Sequence, residues 1–263
     1  MSTARDDGYS LVELLVVTAV VGVIAAATFG VFRTSQQVYR RASALEDAQL
    51  RARAGLALIS GDLRLIGAYW TGAAGGGPAI IDATPTSITF MADVNGDSIS
   101  NGVEMTTATV TRPGATTLTL GASATRVGSA FNTYTSPALN DFVHVASGSR
   151  REVRQIASIT GSTLTLTAPI GGNYPSGSPV RAVEKVTYAL NPSTRGLTRS
   201  VGGSGAQTFI NQVSALAMTY FDGHHPGAET SDLTRIREIR ISVTTEADDG
   251  TRRTMASRVR VRN

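Results

Sequence analysis

Apolar positions run almost unbroken from Gly8 to Phe32, and from Leu14 onward about 19 residues pass without a charge. As a helix that length crosses a hydrocarbon core of roughly 30 Å. Beyond it the pattern changes from continuous to periodic. Val38, Ala42, Leu45, Gln49, Ala52, Leu56, Ile59, Leu63 and Ile66 recur at four- and three-residue spacings, which is one apolar stripe on a helix. Arg40, Arg41, Glu46, Asp47, Arg51 and Arg53 lie mostly off that stripe. Gly67 is a suitable C-terminal stop. Spacing therefore predicts one helix of roughly 58 residues, its upper half packed on a sheet and its lower half free.

After Gly67 the period falls from 3.6 to 2. Trp70–Pro78 reads as a glycine-rich join. Short β-like runs follow at Ser87–Ala92, Met105–Thr111, Thr116–Leu120, Asp141–Ala146, Arg151–Ile159 and Thr163–Thr167. More come at Val180–Leu190, Leu197–Val201, Val213–Phe221, Ile236–Thr245 and Arg252–Val261. Alternation is clearest near the end, with Ile239, Ile241 and Val243 on one side and Arg240 and Ser242 on the other. Asp249-Gly250 is a natural turn between the last two strands. The fold class is α+β, a long N-terminal helix on an antiparallel sheet.

Composition adds limits. The 263 residues contain no cysteine, so a disulfide framework and a thiolate metal site are both excluded. The net charge of +4 rests on arginine, with Lys185 the single lysine. Spread over this length it is a mild excess, closer to a solvated surface than to a nucleic-acid footprint.

The apolar run differs from a secretory signal peptide. Its leader, MSTARDDG, is short, and Arg5 is offset by Asp6 and Asp7. The run also continues straight into the amphipathic stripe, so retention as a helix is expected. At its start stand Gly8-Tyr9-Ser10-Leu11-Val12-Glu13, then Leu14-Leu15-Val16-Val17. This segment resembles the class III leader of type IV pilins and type II secretion pseudopilins. The resemblance implies cleavage by a prepilin peptidase between Gly8 and Tyr9, N-methylation of Tyr9, and an assembly role for Glu13. Phe is commoner in that family where this chain has Tyr9, and the acidic pair before Gly8 is unusual there.

Elementary electrostatics agrees with the resemblance. Cleavage frees an α-amino group near Glu13, and in a helical stack that amine can meet a neighbour's Glu13. Pairing removes most of the cost of a carboxylate in lipid and leaves a lone subunit unsatisfied, which favours docking. The plainer alternative is an acid reaching the interface from a simple anchor. Arg33, Arg40 and Arg41 follow the span while the leader is nearly neutral, so charge bias alone would put the N-terminus outside. The orientation implied by the resemblance is the reverse, and it is the one adopted. Gly22 and Gly30 each weaken the helix by about 1 kcal/mol relative to Ala; either local melting or close helix packing accounts for them.

The head carries a weaker likeness. SITFMADVNGD, EKVTYALNPSTRGLTRSVGG, FINQVSALAMTYFDG and IREIRISVTTEADDG, with a final VRVRN, resemble the heads of PilW-type minor pilins and J-type pseudopilins. The expected layout is a leader at 1–8, a helix at 9–68 (9–32 in the membrane, 33–68 amphipathic) and a head at 69–263. An inserted β module is expected at about 118–182. The resemblance implies a non-catalytic subunit of a pilus priming or tip complex, serving assembly, adhesion, motility or DNA uptake. Its implied partners are prepilin peptidase, other pilins and the inner-membrane assembly platform. The implied location is the inner membrane, then a surface pilus or periplasmic pseudopilus.

Other chemistry is sparse. Asp93, Asn95, Asp97 and Glu104 fall at positions one, three, five and twelve of a calcium-type loop. The glycine expected at position six is absent and strands flank the loop, so the alternative is a hairpin turned at Asn95-Gly96. His144 sits in an expected strand; His224 and His225 lie in a polar loop near Asp222, a thin basis for a metal. Gly202-Gly203-Ser204-Gly205 is followed by Ala206 and is no nucleophile elbow. No phosphate loop is present, so no enzyme and no cofactor beyond Ca2+ are expected. Arg235, Arg237, Arg240, Arg252, Arg253, Arg258, Arg260 and Arg262 cluster in the last two strands. They form either a basic surface for DNA, acidic neighbours or phospholipid, or a guard against edge-to-edge aggregation.

Overall fold

A computed structural model describes residues 11–69, 78–94, 99–100, 103–123, 125, 127, 142–202, 205–225, 227–247 and 250–261. Its first element is a single helix, α1 (Leu11–Leu63), of 53 residues, about 80 Å long at 1.5 Å per residue. No residue of α1 before Ala44 is even partly buried. Buried positions begin at Ala48 and continue through Ala52, Gly55, Leu56, Ile59, Ser60, Asp62 and Leu63. Val38, Ala42 and Gln49, which spacing places on the stripe, are exposed. No part of the sheet lies against the helix at Val38 and Ala42, and Ala48 takes the inward place of Gln49.

The helix also stops sooner than Gly67. Arg64, Leu65 and Ile66 donate to Gly61, Asp62 and Leu63 at 3.2, 2.9 and 3.3 Å, a tightened three-residue turn. Gly67, at φ 75°, then turns the chain aside. Its N–H donates to Met91 O at 3.2 Å, tying the helix end to the sheet.

The strands are β1 (Ile80–Ala83), β2 (Ser87–Ala92), β3 (Ile99–Ser100), β4 (Val103–Thr106), β5 (Thr117–Thr119), β6 (Phe142–Ser147) and β7 (Arg150–Thr160). They continue with β8 (Thr163–Leu166), β9 (Pro179–Asn191), β10 (Gly196–Val201), β11 (Gln207–Ile210), β12 (Val213–Asp222), β13 (Ile236–Glu246) and β14 (Arg252–Arg260). One sheet has 11 strands, the other is β12-β13-β14. The α+β arrangement is the expected one.

Three strands were not expected from the pattern. β1, β3 and β11 have four, two and four residues, too few for a period of two to register. The run at Met105–Thr111 keeps its strand only to Thr106; beyond it the chain makes single bridges, Thr107 to Leu120 and Thr111 to Tyr174. In the β3–β4 pair Ser100 is the register partner of Val103; Asn95-Gly96, the expected turn, lies outside the described residues.

β9 organises the larger sheet. Its first half pairs with β4 and β6, its second half with β2 and β10. A separate core lies against each half. Beside the second half, Val186, Tyr188, Phe90 and Ile88 meet Leu56, Ile59, Leu63 and Ile66 of the helix end and Ile239, Ile241 and Val243 of β13. Beside the first half, Val180 and Ala182 join Met105, Leu118, Val143, Val145, Ile156, Leu164 and Tyr174. The helix touches only the first of these cores.

Candidate assembly site

From Leu11 to Phe32 the large apolar side chains of α1 point outward: Leu11 is 80% exposed and Val23 71%. The hydroxyls among them are turned back onto the helix. Thr18 donates to Leu14 O and Leu15 O at 3.0 and 2.9 Å, Thr28 to Ile24 O at 2.8 Å, and Thr34 to Gly30 O at 3.1 Å. Such back-bonding satisfies each hydroxyl without water, as a helix in lipid requires. Gly22 and Gly30 face open space, so any close approach they permit is to another molecule.

Glu13 is the exception, an exposed acid in the first turn. At mid-bilayer an ionised side chain costs about 3 kcal/mol on insertion scales, a penalty the apolar run can outweigh. The helix therefore inserts with an electrostatic debt at one end that a cation could cancel. Gly8 and Tyr9 lie outside the described residues.

What holds the upper helix in the head was not legible from spacing. Asp62 is buried, and its Oδ2 accepts from Tyr188 OH (2.6 Å), Arg199 Nε (2.9 Å) and Arg199 Nη2 (2.8 Å). Burial and the carboxylate push the Tyr188 phenol well above its usual range. Arg199 is raised as well: burial acts to lower it, but Tyr188 and Asp62 outweigh that. On the opposite flank Ser60 bonds Ser257 at 3.0 Å, and Thr245 donates to Ala48 O at 2.9 Å. Gly55 lets β11 close in, for a Cβ there would overlap Ile210 Cδ1. The one sequence signal was a charge, Asp62, directly beside the stripe residue Leu63.

The remaining expectations divide. In the calcium-type loop, Asp93 is buried and its Oδ2 lies 3.8 Å from Arg181 Nη1, so a guanidinium already faces that oxygen. Asn95 and Asp97 lie outside the described residues, as does the side chain of Glu104. No group of three or more metal-binding side chains occurs among the described residues. His144 is buried in β6, with Tyr69 at 5.8 Å, ring to ring. Asp222 caps a turn, its Oδ1 accepting from the His224 N–H at 2.7 Å with His224 Nδ1 at 3.4 Å. That N–H and Arg235 hold the Asp222 carboxyl below its usual range. His225 takes part in no such cluster.

The arginines of the last strands are largely paired with acids. Arg240 and Arg258 share Glu238, Arg252 and Arg195 share Glu246, and Arg235 meets Asp222. Arg237 turns to the carbonyls of Thr234 and Ile236. Arg253 and Arg260 project from β14 into solvent; Arg262 lies outside the described residues.

Comparison with known families adds a decisive observation at the N-terminus: residues 3–29 match the model of the prokaryotic N-terminal methylation motif. The chain carries a prepilin-type leader. No curated protein and no solved structure matches it. The motif is found on structural filament subunits rather than enzymes, and it implies processing by prepilin peptidase and assembly with other pilins. With the apolar helix it fits a membrane-anchored prepilin of the type IV pilin or pseudopilin kind.

Proposed function

We propose that this chain is a minor type IV pilin of the PilW type, a non-catalytic subunit of the priming or tip complex of a pilus. Prepilin peptidase cleaves it after Gly8, Tyr9 becomes the methylated N-terminus, and Glu13 pairs with the N-terminal amine of an adjacent subunit. The helix carries this reading: over 30 residues of it lie exposed, apolar at first, with its threonine hydroxyls turned back onto the helix and one acid in the first turn. Such a surface is stable only in lipid or against other helices. The head's bulk supports a tip position, because a second core beside β9 would crowd a subunit repeated along a shaft. Calcium at Asp93, Asn95, Asp97 and Glu104 has little support, given the Arg181 contact.

The test is the mass of the mature N-terminal peptide, taken with filament incorporation of Glu13→Ala. A methylated peptide beginning at Tyr9, and loss of most incorporation in the variant, support the proposal. A chain beginning at Met1, or normal incorporation of the variant, overturns it. Deletion that abolishes protein secretion but leaves pili intact would assign the chain to a type II secretion pseudopilus instead.

A further inference from the structure

Arg33, Arg40 and Arg41 occupy the first three turns above the apolar span, and all three are exposed. None has an acid at the helical positions that could meet it: residues 29, 30, 36, 37, 38, 43, 44 and 45 are Phe, Gly, Gln, Gln, Val, Ser, Ala and Leu. Their presence on that side of the span also runs against the usual charge bias of membrane insertion. Three exposed guanidiniums with no acid within reach along the helix are open to an anionic ligand.

The side chains show where it lies. On a helix they tilt toward the N-terminus, which here is toward the membrane. The Arg33 guanidinium lies over the Phe29 ring, 4.9 Å from its centroid, a full turn below its own Cα. Arg40 reaches back likewise, its Nη2 3.4 Å from Gln36 Oε1. Gln36 stands four residues past Phe32, about 6 Å further along the axis. The headgroup layer on each side of the hydrocarbon is roughly 5–7 Å deep. Arg40 therefore delivers its charge near the top of that layer, Arg33 about 4.5 Å below Phe32 on the hydrocarbon side of the layer's inner edge, and Arg41 adds a third on another side of the helix.

We infer that Arg33, Arg40 and Arg41 form a headgroup belt that binds the phosphates of anionic phospholipid while the chain is anchored in the membrane. The inference rests on the anchored-prepilin reading. A guanidinium takes a phosphate through two parallel N–H donors and holds less water than an ammonium, so it suits this layer. The belt sets the depth of the helix and must release its lipids when a subunit leaves the bilayer. Release costs something on each assembly step, which opposes premature extraction.

The experiment uses the full chain in nanodiscs of equal parts phosphatidylcholine and phosphatidylglycerol, with native mass spectrometry of the lipids released with the protein. Severalfold enrichment of phosphatidylglycerol over the bulk ratio is expected. Arg33→Gln/Arg40→Gln/Arg41→Gln should return it to the bulk ratio, and the triple Lys variant should keep part of it. Release of lipids at the bulk ratio by the unaltered chain overturns the inference, as does enrichment that survives in the Gln variant. If the bulk ratio is accompanied by failure of the Gln variant to enter filaments, the arginines serve an acidic neighbouring subunit instead. Cleavage after Gly8 is read separately from the N-terminal mass, so failure of the prepilin reading leaves a different mark.

Discussion

His144 shows what one buried side chain does to the stability of the head. It is 5% exposed in β6, opposite Arg181 of β9, with the Tyr69 ring on one side. Neither ring nitrogen has a hydrogen-bond partner among the described residues. Burial, then the charges of Arg151 and Arg181, lower its pKa from 6.5 to about 4. Between those values the unfolded chain binds a proton that the folded chain refuses, so stability rises with pH across that window. It is complete above about pH 6.5 and falls progressively toward pH 4. The shift corresponds to roughly 3–3.5 kcal/mol at 1.36 kcal/mol per pKa unit. Urea midpoints at pH 7 and pH 4.5 should therefore differ for the native head, and His144→Leu should remove most of that difference. An unchanged difference in the variant would assign the acid sensitivity to other groups.

At the scale of elements, the join between α1 and the head depends on more than the apolar stripe. Leu56, Ile59, Leu63 and Ile66 give the helix its inward face, but apolar contact does not fix its rotation or height. Asp62 on one flank and Ser60 with Ala48 O on the other do, through Tyr188, Arg199, Ser257 and Thr245. Asp62→Ala leaves Arg199 and the Tyr188 hydroxyl without their acceptor, at a cost of roughly 2–3 kcal/mol given that Arg199 is partly solvated. Tyr188→Phe removes one donor and should cost about 1 kcal/mol. Chemical denaturation of both, and of the double variant, checks this: strict additivity would show that the three groups do not act together. This join also marks where reading the sequence stops. The long helix, the alternation of β13 and the leader are local patterns, and all are plain in the chain. Asp62 reaches residues 126 and 137 positions away, and Gly55 meets Ile210 of β11, which arrives from far along the chain. No local period encodes either contact. Gln49 was misplaced for a related reason: spacing gives a stripe its direction, but the sheet decides where along the helix burial begins.

For the molecule as a whole, the helix divides into two parts with different solvents. Above Leu45 it belongs to the head core; below Ser43 none of its residues is buried by any other part of the chain. The lower part should therefore contribute nothing to the folding of the head, while its exposed Leu, Val, Ile and Phe side chains dictate how the full chain behaves in water. A chain beginning at Gln37 keeps every buried helical position and loses the whole apolar run. It should be monomeric without detergent by light scattering, with the same melting temperature as the full chain in detergent. A chain beginning at Ala57 loses Ala48, Ala52, Gly55, Leu56 and the Thr245 bond to Ala48 O. That removes roughly 3–5 kcal/mol of burial and hydrogen bonding, on the order of 10 °C in Tm for a head of this size. Circular dichroism melts of the two chains decide the matter. Equal stability of both would mean that Ala48, Ala52, Gly55, Leu56 and the Thr245 bond add nothing to the head, which then depends only on the last turns of α1 around Asp62. Loss of folding in the Gln37 chain would mean that the exposed segment packs on the head in a way its complete exposure forbids. The expected result, a sharp step between the two starting points, would locate the boundary between the part of the helix that stabilises the head and the part left free for lipid and neighbouring subunits.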